Sequence, residues 1–167
     1  MALLKSIFLF AALSFIAGNS TALAQNNDKQ QKAAAEATAM KNLIESQHYM
    51  FLAQTMMPQS GPTRPISTPY DLRIRKDTLS ADLPYIGRAF SSDYGSSDNA
   101  LSFKTTSFTY TKNDGKNGGW DITIVPKGVR NVSKMFLKIS SSGFASLSVQ
   151  SNTRQSISYN GNIQPIN

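Results

Sequence analysis

The 167-residue chain contains no cysteine. That excludes a disulfide framework, a thiolate zinc site, a cysteine nucleophile and a lipidated cysteine at a processed N-terminus. Histidine is almost as scarce, with His48 alone, so metal clusters and serine-type triads are hard to assemble. Charged residues make up only 16% of the chain, too few for a charge-laced helical bundle. Phosphate-loop, dinucleotide and G-x-S-x-G signatures are missing. The one long apolar run, residues 7–17, is too short to span a bilayer comfortably, which favours a cleaved leader over the alternative of an uncleaved membrane anchor. The chain is also too short for an α/β barrel, and its length suits one domain.

What is present starts with an address. Lys5 precedes the apolar run, Gly18-Asn19-Ser20 breaks it, and Ala22-Leu23-Ala24 offers small residues at the positions a signal peptidase accepts. Residues 1–24 are therefore expected to be a cleaved signal peptide, with the product periplasmic or secreted and no transmembrane segment left. Without Lys5 the chain carries 16 Lys and Arg against 10 Asp and Glu, a balance of +6. For an exported protein that excess suits an anionic envelope partner or a soluble charged surface, and location argues against nucleic acid.

Residues 25–47 hold an N-terminal segment and a helix. The stretch from Asp28 has no Gly or Pro, is rich in Ala, Gln, Lys and Glu, and places Ala33, Ala37, Met40, Leu43 and Ile44 on one stripe. Residues 48–167 then show a period of two. Residues 49–55 are at first largely apolar on both faces, as in a strand covered by the helix on one side and a core on the other. Pro58, Pro62 and Pro65 suggest an irregular crossing before Tyr70, Leu72 and Ile74 alternate with Asp71, Arg73 and Arg75. Leu101 and Phe103 lie on one parity and Phe108 and Tyr110 on the other, which requires a change of face near residues 105–107. Hairpin-sized spacing links the strands at Trp120–Ile124, Met135–Ile139, Ala145–Val149 and Ile157–Tyr159. The pattern predicts a mainly β, α+β fold: one N-terminal helix packed on a curved antiparallel meander of about seven strands, left open or closed into a barrel.

Several segments combine into a resemblance. Leu83-Pro84-Tyr85-Ile86-Gly87-Arg88-Ala89-Phe90, with Gly143-Phe144-Ala145-Ser146-Leu147 and Ile157-Ser158-Tyr159-Asn160-Gly161 downstream, resembles the exported bacterial domain-of-unknown-function family four-two-five-one. The resemblance covers residues 49–163 and implies a lipocalin-like antiparallel barrel. It brings no activity and no catalytic residues, and the absence of cysteine departs from the lipid-anchored members.

Candidate ligand-binding residues are Tyr85, Arg88, Phe90 and Tyr94, an aromatic and guanidinium group around Gly87. The same segment could instead be a crossing loop plugging one end of the sheet. Arg73, Arg75 and Lys76 form the best basic patch, or a charged strand edge. Asp93 and Asp98 lack the ligand pattern of a calcium loop, and nothing brings Asp77 and Asp82 together as a glycosidase pair. Tyr110 and Trp120 are expected to pack across a hairpin. No metal or cofactor is expected. The chain is expected to be a non-catalytic domain for a small apolar, lipid-like or peptide ligand. The alternatives are a protein-interaction or envelope-maintenance module, and an enzyme of unfamiliar design.

Overall fold

In the computed structural model, residues 20–87 and 100–166 are described. The chain divides into two compact units, Met1–Glu36 and Ala37–Asn167. Helix α1, Ser20–Ser46, runs through the boundary, as its Ala, Gln and Lys content favours. The described part of the first unit is helical, and its side chains from Lys29 to Glu36 are exposed. The buried stripe is consequently shorter than the periodicity suggested. Ala33 is exposed, Ala37, Met40 and Leu43 are half-buried, and Ile44 alone is fully buried. Gln47 ends the helix in a left-handed conformation, φ 49°, and its N–H donates to the Ile44 carbonyl at 3.2 Å. His48, exposed, follows directly.

The second unit is built on one antiparallel sheet. Its strands are β1 (Tyr49–Pro58), β2 (Arg64–Ile74), β3 (Leu79–Pro84), β4 (Ala100–Thr105), β5 (Phe108–Asp114), β6 (Trp120–Pro126), β7 (Lys134–Ile139), β8 (Phe144–Gln150) and β9 (Ile157–Pro165). The order is β4-β3-β2-β1-β9-β8-β7-β6-β5. Consecutive strands lie side by side except β4 and β5, which are the two outermost strands, and β9 returns to pair with β1. Only Thr106 and Ser107 separate those edges, so the sheet must curl until they meet. Because each ladder is antiparallel, β4 and β5 run in the same direction and behave as one bent strand. The nine strands thus form a nearly closed, up-and-down barrel of eight strand positions.

The bend falls where the apolar parity switches in sequence. Thr105 Oγ1 accepts the Ser107 N–H at 3.1 Å and lies 3.3 Å from the Lys127 carbonyl, while the Lys127 N–H donates to Ser107 O at 2.8 Å. Two differences raise the strand number from about seven to nine. Residues 101–110 count as two strands, and Leu79–Pro84 is a strand of its own. β2 also starts earlier than expected, at Arg64, despite Pro65 and Pro69. Its ladder to β3 covers only Asp71–Ile74, so among the described residues the earlier part of β2, with Pro65 and Pro69, has no partner on that side.

Alternate residues point inward and fill the barrel. Tyr49, Phe51, Leu72, Ile74, Leu79, Leu83, Ile124, Met135, Leu137, Leu147 and Tyr159 are completely inaccessible. Among the described residues none that is polar or charged is buried. The outward side of β1, Met50, Leu52 and Met57, is half-buried. Ile44 joins the core at the end of α1, so helix and barrel share one apolar interior.

Candidate functional site

Among the predicted ligand residues, Arg88, Phe90 and Tyr94 lie outside the described residues, as do Asp93 and Asp98. Tyr85 is described and only 6% exposed. Its hydroxyl donates to the Gln155 carbonyl at 3.1 Å, and the Arg154 guanidinium sits 5.1 Å from its ring centroid. Burial pushes the Tyr85 phenol above its ordinary value, against the opposing charge of Arg154. One residue earlier, the Pro84 carbonyl accepts the Tyr159 hydroxyl at 2.7 Å. A Cβ on Gly87 would collide with the Tyr85 hydroxyl. Proline, tyrosine and glycine of this segment therefore tie the end of β3 to β9 and to the connection before it.

The basic patch is partly neutralised. Arg73 Nη2 meets Asp71 Oδ2 at 2.9 Å and its Nε lies 3.1 Å from Asp71 Oδ1, two residues away on the same outward face. Arg75 is half-buried and its N–H donates to Thr78 O at 2.9 Å, while Lys76 is exposed in the β2–β3 turn. Asp77 sits in that turn, exposed, and Asp82 faces outward on β3 opposite Asp71. Neither is set against the other as an acid–base pair.

A different place gathers exposed apolar and charged groups. An open cleft of about 360 Å³ lies between the β5–β6 loop and the β7–β8 turn, lined by Lys116, Trp120, Asp121, Lys138, Phe144 and Ser146 among others. The loop is shaped by glycine. Gly115 N–H donates to Gly119 O at 2.9 Å, and Gly119 lies so close to the Ile139 carbonyl that a Cβ would not fit. The turn is held from two sides, because Met40 Cε packs on Gly143, φ +84°, and Ile163 N–H donates to Gly143 O at 2.8 Å. This presents Phe144 at the head of β8 on the outward parity, opposite to Ala145, Leu147 and Val149.

Phe144 is 51% exposed; among the described residues only Ile86, at 40%, is another exposed large hydrophobic. Trp120 is 7% exposed. Asp121 pairs in register with Lys138 across the β6–β7 ladder, yet neither Lys116 nor Lys138 is ion-paired among the described residues. The cleft lining holds an aromatic surface, two ammonium groups and one carboxylate. Sequence reasoning passed over it. The available signal was Phe144, a large apolar residue on the polar parity of its strand. The expected Tyr110–Trp120 packing is not formed, since the register sets Tyr110 opposite Ile124 and Trp120 opposite Asp114. Tyr110 instead meets Tyr49, hydroxyl to hydroxyl at 3.0 Å.

Two smaller clefts follow the unpaired edges. One, about 290 Å³, lies between the end of α1 and β5 at Ile44, Tyr110 and Lys112. The other, about 320 Å³, separates β4 at Phe103 and Lys104 from the β6–β7 connection.

Comparison with known proteins gives fold and family. The family model described as a domain of unknown function, DUF4251, matches residues 31–163. The crystal structure of a DUF4251 family protein from Bacteroides eggerthii is similar with a TM-score of 0.55 at 14% identity, over 80% of this chain and 87% of that one. No curated protein matches the chain. At that identity the structural likeness carries the fold alone.

Proposed function

Because the chain belongs to the DUF4251 family of domains of unknown function, we propose a function from its own geometry: an exported, non-catalytic binding domain that holds an extended peptide segment in the Trp120–Phe144 cleft. The carrying observation is Phe144, 51% exposed beside a cleft of about 360 Å³ that Trp120 also lines. A solvent-facing aromatic next to a shallow apolar concavity is the usual form of a protein-recognition anchor. Two features favour the surface over the interior. The inward positions are occupied by the protein's own side chains, and the Tyr85 hydroxyl and ring are engaged by Gln155 and Arg154. Export is supported by the leader-like residues 1–24.

Trp120 is the chain's only tryptophan, so its emission reports on this cleft. The test is to display random peptides to the chain beginning at Gln25 and to titrate the retained ones by tryptophan fluorescence. Binding that shifts the emission and is lost in Phe144→Ala supports the reading. Retention indifferent to Phe144→Ala, or none, overturns it.

A further inference from the structure

The chemistry of the cleft specifies more than a peptide. Lys116 and Lys138 are both exposed on its lining and neither has a carboxylate partner among the described residues. Asp121, also exposed, is the one acidic residue of the lining. Two cations therefore stand against one anion. Two other exposed cations of the sheet are offset, Arg73 by Asp71 and Lys112 by Glu45, while Arg64 and Lys104 are exposed and in no ion pair among the described residues. What sets the cleft apart is that its two unpaired lysines share a lining with the exposed Phe144 ring.

We propose that the occupant is an acidic peptide segment of a partner protein, with an apolar side chain resting on Phe144 and Trp120 and flanking carboxylates meeting Lys116 and Lys138. An extended strand spaces alternate side chains about 7 Å apart, so one apolar residue flanked by carboxylates suits a site of this size. Charge complementarity at an open site acts mainly on encounter and selectivity, and salt screens it. The backbone supplies little of the recognition here, because β6, β7 and β8 are each paired on both sides; side chains must supply it.

This inference rests on the peptide-binding reading of the cleft, and one experiment separates their failures. Random peptides are selected on the chain beginning at Gln25 at low and high salt, on Phe144→Ala, and on the double variant Lys116→Gln, Lys138→Gln. Expected is a set of Phe144-dependent peptides enriched in Asp and Glu around an apolar residue, whose affinity falls roughly fivefold for each lysine removed and falls with salt. Phe144-dependent peptides with no acidic bias, or with affinity unchanged in the lysine variant, overturn the charge inference and leave the peptide reading standing. An absence of Phe144-dependent peptides overturns both. Phosphatidylglycerol vesicles or a polyuronate that shift Trp120 emission when no peptide does overturn the partner class. All three substitutions lie at exposed positions, and far-UV circular dichroism checks that the variants remain folded.

Discussion

At the scale of single residues, the segments that carry the family resemblance turn out to hold the barrel together. Gly161 lies against the Leu52 carbonyl at the point where β1 and β9 slip register, and an added Cβ would collide with backbone there. Gly161→Ala should cost about 2–3 kcal/mol, seen as a lower urea midpoint, whereas Gly118→Ala, with open space but φ +73°, should cost only about 1 kcal/mol. Tyr159 is inaccessible and its hydroxyl donates to Pro84 O at 2.7 Å. Tyr159→Phe should remove about 1–2 kcal/mol by leaving that carbonyl without its donor. A Tyr159→Phe chain as stable as the original would show that the bond contributes nothing. The glycine and the tyrosine were legible as a motif, but their reasons were not, because each contact partner lies over seventy residues away in the chain.

Among the elements, α1 is anchored by its end. Ile44 is fully buried, while Lys29 to Glu36 are exposed. Ile44→Ala should therefore destabilise by about 2–4 kcal/mol. Glu45→Gln, which breaks only the half-exposed 3.9 Å pair with Lys112, should stay within about 0.5 kcal/mol. Thermal unfolding of the two variants distinguishes an anchoring residue from a surface charge; equal shifts would contradict the packing. Element boundaries were legible where side-chain alternation ran undisturbed, as in β6, β7 and β8. Strand β3 was harder, although Leu79, Ala81 and Leu83 alternate with Ser80, Asp82 and Pro84, because it is short and closes on a proline that also reads as a loop entry. β2 was obscured by Pro65 and Pro69, which lie outside its described ladder to β3.

For the molecule as a whole, four tyrosines make alkaline pH its weak side. Burial raises the phenols of Tyr49, Tyr85, Tyr110 and Tyr159 above their ordinary 10.0. The folded chain then holds protons that the unfolded chain releases near pH 10. Their contribution to stability is complete below that pH and is lost progressively as pH rises above it. Absorbance at 295 nm should show these phenols ionising together with loss of the far-UV sheet signal. All tyrosines ionising near pH 10 in an intact fold would contradict their burial.

Alternation of apolar and polar side chains, turn residues and the missing cysteines were enough to determine an α+β, antiparallel, disulfide-free domain and to place its bend near Thr105, since these depend on neighbours one or two positions apart. Three further features belong to the tertiary structure alone: that β9 returns to β1, that the Thr105–Phe108 bend lets the sheet nearly close, and that Phe144 stands beside Trp120 and two unpaired lysines. Each depends on residues distant in sequence that meet only once the sheet curls, and no local spacing encodes that meeting.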